Sequence, residues 1–473
     1  MSSTPAVAAV ERELERVRRS LYGSVLPFWL RYSVDAERGG FFNNLGREGA
    51  VFDTRKHVWL QGRQCWLFAR VANSHSEGEL AALFERYAAA RPRGPARNAL
   101  AEPQPLTRAA LVAAARRGVQ FLQDHAVDAA TGHVAFALTR EGAVALHQRK
   151  MFSASFLVMA LGEVSRACAE PALFAEAVRL LERMLGWARF PGALGKPGAP
   201  GAAPLEPLNV SMIVLNVITE LATCIPPGGW TAAGGGAGAA AADFFLAERR
   251  WAAARIAAHA CPERRCVLEN VLVGAEGVER YDFSGPDGRL CNPGHAIEAG
   301  WFLLEHAQAQ HDATAEALAR DVIGWSWEQG WDASGRGGGG FLYFVDVDGH
   351  TPTQLEWGMK LWWPVNEAMI ALARTATLAE GDAQLARYVQ CADWAFSHLA
   401  DEAGGEWYGY CDRDGGVTHD FKGGPYKGCL QSTLLATKPA PPPAQAHPLL
   451  FLATRPLLAQ PRSARAALLR AGL

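Results

Sequence analysis

A histidine and a glutamate three residues apart are the clearest candidates for proton transfer in this chain. The stretch from Asn292 to Glu298 reads Asn-Pro-Gly-His-Ala-Ile-Glu. Because Asn is a good N-cap and Pro suits the first helical position, we expect a helix to begin here. His295 then lies in the first turn with Glu298 on the same face. The positive end of the helix dipole favours a neutral imidazole, the form that acts as a general base. The alternative is a structural histidine in a capped helix, which is commoner for an isolated His-x-x-Glu.

A second segment carries an arginine between two tryptophans. Trp59, Arg63 and Trp66 are spaced four and three residues apart, which places two indoles and a guanidinium on one helical face. An arginine on an inward face is costly unless it is paired. It therefore binds either a structural carboxylate or a polar ligand, and the sequence leaves both open.

A third segment combines two carboxylates, an ammonium and an indole. Within a helix predicted over Gln354–Leu378, these side chains form one stripe: Glu356, Lys360, Trp363 and Glu367. The alternative is a solvated face with a Glu–Lys pair, and the large indole argues against it. Pro364 is expected to kink the helix or to restart it.

The remaining motifs exclude several kinds of site. The turn from Phe421 to Cys429 has three glycines and two lysines but lacks the spacing of a phosphate-binding loop. The sequence contains no Gly-x-Ser-x-Gly, no dinucleotide fingerprint after a strand and no cluster with metal-ligand spacing. We therefore predict neither a metal site nor a nucleophilic serine.

Composition bounds the class of protein. The 473 residues are 49% hydrophobic and 20% charged with a net charge of -2, which argues against nucleic acid or an anionic membrane as the main partner. No apolar run approaches the ~20 residues of a membrane span, and the first residues lack the basic region of a signal peptide. Nine scattered cysteines are typical of reduced thiols, so we expect a cytosolic protein.

Short glycine- and aromatic-rich phrases alternate with helical segments along the chain. The phrases lie near residues 39–49, 131–142, 339–349 and 404–415, and we expect short hairpins there. The amphipathic pattern predicts these helices: 6–32, Val58–Val71, Arg108–His125, Phe152–Arg166, Pro171–Ala188, Met212–Thr223, Phe244–His259, Ala296–Gln308, Thr314–Glu328, Gln354–Leu378 and Asp382–Leu399. Paired helices with hairpins between them favour an all-α toroid over a βαβ plan. Two Pro- or Gly-rich stretches, 91–106 and 226–242, indicate inserted surface loops.

Four of these motifs in order resemble the N-acylglucosamine 2-epimerase family, most closely its animal type. They are Trp-Leu-Gln-Gly-Arg from Trp59, the Asn292 stretch continued as Ala-Gly-Trp-Phe-Leu-Leu, Pro-Thr-Gln-Leu-Glu-Trp from Pro352, and Lys-Gly-Gly-Pro-Tyr-Lys-Gly-Cys from Lys422. The resemblance implies an (α/α)6 barrel over residues 1–429, with short β-hairpins at one mouth, and a homodimer. It implies interconversion of N-acetyl-D-glucosamine and N-acetyl-D-mannosamine in sialic acid metabolism. It also implies ATP or another nucleotide as an effector that is not consumed, and binding to renin.

The resemblance also assigns roles. His295 is one of two acid/bases, with Glu298 beside it, and Arg63 binds or polarises O1 of the open-chain sugar. Four residues are expected to line the sugar cavity and one to lie near its mouth: Glu356, Lys360, Trp363 and Glu367, then Trp407. This chemistry needs no metal and no redox cofactor.

The chain departs from the family pattern after Cys429. Gln431 occupies the place of the second acid/base histidine and Leu434 that of an arginine. Glutamine does not exchange protons near neutral pH. Proline-rich residues 430–473 follow, so we expect a damaged closing helix and low activity. One alternative is a catalytically weak protein that binds renin or another partner. Another is an epimerase of free disaccharides or an aldose–ketose isomerase on the same barrel.

Overall fold

Helices dominate the structure. It is a computed structural model that describes residues 5–91, 100–195, 205–227, 229, 239–273, 279–378 and 381–429. Within these ranges the α-helices are, in chain order, α1 Pro5–Ser20, α2 Leu26–Tyr32, α3 Val58–Ser74, α4 Glu77–Arg86, α5 Arg108–His125, α6 Phe152–Cys168, α7 Pro171–Arg189, α8 Leu208–Ala222, α9 Ala239–Ala258, α10 Pro286–Arg289, α11 Pro293–Gln310, α12 Ala313–Gly330, α13 Trp362–Thr375 and α14 Gly381–His398. A π-helical turn, Leu21–Val25, joins α1 to α2.

The long helices form two concentric layers. Helix α3 packs on α6, α6 on α8, α8 on α11 and α11 on α13, which makes an inner layer. Each inner helix also packs on an outer helix that follows it in the chain. The pairs are α3 with α5, α6 with α7, α8 with α9, α11 with α12, and α13 with α14. Large aromatic side chains contribute to the core, in which Trp29, Trp66 and Trp301 are fully buried. The described residues thus form the helical toroid that the sequence predicts.

Short antiparallel strands connect the helices. They are β1 Asn44–Leu45, β2 Val51–Asp53, β3 Lys56–His57, β4 Ala137–Leu138, β5 Val144–Leu146, β6 Leu205–Pro207, β7 Ala260–Cys261, β8 Cys266–Val267, β9 Asn270–Val273, β10 Glu279–Arg280, β11 Leu290–Cys291, β12 Val345–Asp346, β13 Lys360–Leu361, β14 Tyr410–Cys411 and β15 Val417–His419. Their sheets are β1-β2, β3-β4-β5, β6-β9-β10, β7-β8, β11-β12 and β13-β14-β15.

The strands place the inner helices so that their N-terminal ends meet. Three inner helices begin directly after a strand: α3, α8 and α13. Helix α11 is separated from its strand by a single residue, Asn292. Asn292 caps α11 as predicted, because its Oδ1 accepts a hydrogen bond from the backbone N–H of His295 at 3.0 Å, and Pro293 follows it at the first helical position. The first turns of the inner helices therefore surround one mouth of the toroid.

A buried lysine–aspartate pair recurs in this framework. In three places an aspartate two or three residues after the end of a helix binds the ammonium of a fully buried lysine: Asp35 with Lys56 at 2.9 Å, Asp332 with Lys360 at 3.1 Å, and Asp401 with Lys422 at 3.0 Å. Each pair therefore ties the end of a helix to a strand or loop. Buried lysines need such partners because an unpaired charge is costly away from water.

Most predicted helices are confirmed within a few residues, and Arg108–His125 matches at both ends. The predicted helix Gln354–Leu378 is wrong at its start. Glu356 lies in a turn, and Lys360–Leu361 pairs with β14 as a strand, so α13 begins only at Trp362. Pro364 is the third residue of α13, where a backbone N–H has no partner within the helix, so it neither kinks nor restarts a helix as predicted.

The hairpin predicted over 339–349 is also wrong in its pairing. Strand β12 pairs with β11, more than fifty residues earlier in the chain. Most of the two predicted insertions (92–99, 228 and 230–238) lies outside the described residues, as does the whole segment 430–473 with Gln431 and Leu434. Among the helices that the structure describes, none combines the length and the apolar character of a membrane span.

Candidate active site

A cavity of about 660 Å³ opens at the N-terminal ends of the inner helices. All five described inner helices contribute side chains to it, and these include Trp59, Arg63, Phe156, Asn209, His295 and Trp363. Loops and short strands at the mouth contribute further residues, among them Tyr343, Glu356, Tyr410 and His419. The volume lies within the range of small-molecule sites.

His295 is held from behind by a carboxylate. Its Nδ1 lies 3.0 and 3.1 Å from the two carboxylate oxygens of Glu269, and its ring packs on the indole of Trp363 with centroids 5.2 Å apart. A carboxylate can only accept, so Nδ1 carries the proton and Nε2 remains as the basic nitrogen. The geometry is that of a general base with a fixed tautomer.

The carboxylate on His295 is not the one that the sequence suggests. Glu298 lines the same cavity one turn further along α11, but the Nδ1 partner is Glu269. Glu269 directly precedes β9, and its backbone binds both neighbouring elements: its N–H donates to Leu290 and its carbonyl accepts from Leu208. It lies 26 residues before His295, and no local spacing in the sequence connects the two.

Arg63 provides a fixed positive charge in the cavity wall. Its guanidinium carbon lies 4.8 Å from the ring centroid of Trp59 and 4.2 Å from that of Phe156. Burial lowers the pKa of Arg63 to about 10, against the opposing effect of Glu298 and Glu367, so it is protonated at neutral pH. Its buried Nε has no hydrogen-bond partner among the described residues, which favours the polar-ligand alternative left open by the sequence.

Two predicted members of the helical stripe do not line the cavity. The Lys360 ammonium is turned away into its pair with Asp332 and donates to the carbonyl of Arg336 at 2.6 Å. The Glu367 carboxylate is buried between helices and accepts from the indole N–H of Trp301 at 2.8 Å. The stripe fails because Lys360 belongs to a strand, so helical spacing does not relate it to Glu367.

Trp407 does not reach the cavity wall either. Its indole is buried, donates to Ser20 Oγ at 3.0 Å and packs on Phe396. The lysines of the adjoining glycine-rich turn are equally structural, since Lys427 binds Glu406 at 3.3 Å and the carbonyl of Lys422 at 2.8 Å.

The structure also adds residues that the sequence does not single out as site residues. Tyr343, Tyr410, His419 and Tyr426 line the cavity from loops and short strands. Burial, reinforced by Glu356 and Glu269, raises the pKa of Tyr343 to about 12, so its phenol keeps its proton. Loop residues have no periodicity to reveal where they point, which is why sequence patterns pass over them. Among the described residues, no group of His, Cys, Asp and Glu side chains is arranged to hold a metal ion.

Known proteins resemble this chain over most of its length. N-acylglucosamine 2-epimerase from Bos taurus is 38% identical over 89% of this chain and 87% of its own length. The Homo sapiens protein of that name is 36% identical over 88% of this chain and 86% of its own length. Among solved structures, cellobiose 2-epimerase from Bacillus thermoamylovorans B4167 has a TM-score of 0.67 and 16% identity, and the alignment covers 89% of this chain and 97% of that one.

The fold and the sequence relationship agree. The structural likeness extends over the toroid and shows the (α/α)6 barrel fold. The family model for N-acylglucosamine 2-epimerase (GlcNAc 2-epimerase) matches residues 99–427, a span that includes His295 and Glu269. By this match and by its identity with the mammalian proteins, the chain belongs to the N-acylglucosamine 2-epimerase family of sugar epimerases.

Proposed function

We propose that this protein interconverts N-acetyl-D-glucosamine and N-acetyl-D-mannosamine by removing and returning the proton at C2. The observation that carries the proposal is the His295–Glu269 pair, 3.0 Å apart, with His295 and Arg63 in the wall of the same cavity. A base with a fixed tautomer beside a permanent cation suits the formation of an enolate.

The chemistry requires the open-chain form of the sugar. The aldehyde at C1 acidifies the C2 proton, and Nε2 of His295 takes that proton while the C–H electron pair becomes the C1–C2 double bond. The negative charge then lies on O1, where the guanidinium of Arg63 stabilises it. Reprotonation of C2 from the other face yields the epimer. Neither a metal nor a redox cofactor takes part in this route.

Two features favour an N-acylated monosaccharide over a disaccharide. The mammalian relatives that share 36–38% identity are named for N-acylglucosamine, whereas the cellobiose 2-epimerase of Bacteroides fragilis is 22% identical. The motifs at Asn292 and Leu355 also match the N-acyl branch. The nucleotide effector, the homodimer, the cytosolic location and renin binding stay predictions that rest on the family resemblance.

The test follows the C2 proton by NMR in deuterated water. The protein is incubated with N-acetylmannosamine, and we expect deuterium at C2 and the appearance of N-acetylglucosamine. Exchange without epimerisation would indicate one working base. Absence of any exchange would reject the proposal and favour a binding protein.

A substitution assigns the base. His295→Ala is expected to slow the interconversion at least about 100-fold, because a positioned general base contributes that much or more. His350→Ala, at an exposed histidine outside the cavity wall, is the control. Full activity of His295→Ala would remove His295 from the mechanism.

A further inference from the structure

The proposed epimerisation needs two proton-transfer groups that act on opposite faces of C2. His295 is one, and a group on its own helix face cannot reach the other side of the substrate. Glu298 follows His295 by one turn of α11, so it shares that wall. The second group therefore has to come from a different element of the cavity.

His419 meets this requirement among the described residues. It is the last residue of β15, which follows α14, and its ring lines the same cavity as His295. Helix α11 and the β14-β15 hairpin belong to different parts of the toroid, with α12, α13 and α14 between them in the chain. The ring packs against two aromatic neighbours, 5.5 Å from the centroids of both Tyr410 and Phe421.

The hydrogen bonds of His419 define its tautomer. Thr418 Oγ1 donates its only proton to the carbonyl oxygen of Tyr410 at 3.1 Å. It can therefore only accept from His419, whose Nδ1 lies 3.0 Å away. Nδ1 then carries the proton and Nε2 is left for proton transfer. His295 has the same tautomer, because its Nδ1 donates to Glu269.

Two tyrosines and the arginine in the wall are less suited to the role. Burial raises the pKa of Tyr343 and of Tyr410, so both phenols hold their protons near neutral pH. Arg63 stays charged. Glu356 and Lys150 also line the cavity and are the competitors that an experiment has to separate from His419.

We propose that His419 is the second acid/base, exchanging a proton with C2 on the face opposite His295; this rests on the proposed function. In one direction, His295 Nε2 takes the C2 proton and the electron pair moves through C1 to O1. The electrons then return from O1, and C2 takes the proton from Nε2 of the His419 imidazolium. In the reverse direction the two histidines exchange roles. Between turnovers His295 releases to water the proton that it has taken, and His419, which is exposed, takes one up.

The test compares proton exchange from each epimer separately. In deuterated water, His419→Gln is expected to slow epimerisation about 100-fold or more. It should keep C2 exchange with one epimer, the one that His295 deprotonates, and lose exchange with the other. His295→Ala should show the mirror-image pattern. A histidine that only supports the hairpin would not separate the two epimers in this way.

Chemical rescue gives a second readout. Because position 419 is open to solvent, added imidazole is expected to restore part of the epimerisation in His419→Ala. His350→Ala, also exposed, should be neither slowed nor stimulated by imidazole. Thermal unfolding and circular dichroism of each variant check that the hairpin still folds.

Three results would overturn the inference. If His419→Gln epimerises within about twofold of the parent protein, His419 carries no proton. If Glu356→Gln or Lys150→Gln gives the single-epimer pattern instead, that residue is the second group. If the parent protein exchanges the C2 proton of neither epimer, both the proposed function and this inference are wrong. The first two results contradict only this inference.

Discussion

His295 owes its chemical character to a carboxylate outside its own helix. Sequence spacing points to Glu298, which lies in the cavity wall, but the bond to Nδ1 comes from Glu269. Glu269 and His295 side chains are 10% and 22% exposed, so little water competes for their bond. We therefore regard Glu269 as a positioning residue that acts through the imidazole.

Replacing Glu269 by glutamine tests this role. The amide removes the negative charge and can present an N–H to Nδ1, which would favour the wrong tautomer. We expect kcat to fall about 100-fold with little change in KM, because general-base catalysis is lost and sugar binding is not. Steady-state kinetics in both directions measure the effect.

Two further variants separate positioning from folding. Glu269→Asp keeps the charge and is expected to recover part of kcat, whereas Glu263→Gln, at an exposed position of the same segment, should leave kcat unchanged. An unaltered kcat in Glu269→Gln would show that His295 does not depend on this carboxylate.

The short strands decide which side chains face the cavity. Lys360 and Leu361 pair with Cys411 and Tyr410 in the sheet, which turns the lysine towards Asp332. Burial alone would raise the pKa of Asp332, but hydrogen bonds from Ser334 and Lys360 outweigh it and hold that pKa below its usual value. The pair is therefore ionised and structural.

Lys360→Met is predicted to destabilise the protein by about 3 kcal/mol, because the buried Asp332 loses its ammonium partner and keeps only Arg413, 3.4 Å away and partly exposed, as a cationic neighbour. The double variant Lys360→Met/Asp332→Leu should recover part of that loss. Urea unfolding measures both. Arg55→Met, which breaks the exposed pair with Asp53, is the control and should cost less than about 1 kcal/mol. If the Lys360→Met protein is as stable as the parent but binds the sugar more weakly, Lys360 acts in sugar binding and the structural role is wrong.

At the scale of the whole molecule, buried neutral histidines make folding sensitive to acid. Burial lowers the pKa of His57 and of His259 to about 4 each, against about 6.5 in an unfolded chain. Each side chain is 5% exposed or less. Between pH 6.5 and 4 the unfolded chain thus binds more protons than the folded protein, so stability falls as the pH falls.

We predict that the free energy of unfolding drops by several kcal/mol between pH 7 and pH 4. Each histidine contributes about 3 kcal/mol on the basis of the shift in its pKa. Denaturant titrations at a series of pH values measure the slope. His259→Asn should flatten the slope in this window, and His350→Asn, at an exposed site, should not. A parent protein equally stable at pH 7 and pH 4 would contradict the prediction.

The sequence by itself determined the helices, the toroid and several residues of the cavity. Helical periodicity and the Asn292 cap are local signals, since they depend on contacts within one or two turns. The long motifs around Trp59 and His295 then identified the family. The same local rules misjudged Lys360, because a two-residue strand leaves no periodic pattern.

Only the tertiary structure decided how the site is completed. Strand β9 pairs with β6, the strand that directly precedes α8, and this pairing brings Glu269 to His295. Strand β15 pairs with β14, and this pairing brings His419 to the cavity. Such pairings join residues that are distant along the chain or lie in loops, and they depend on how the whole ring of helices packs. No spacing of residue types encodes that packing, so the partners of the base become visible only once the chain is folded.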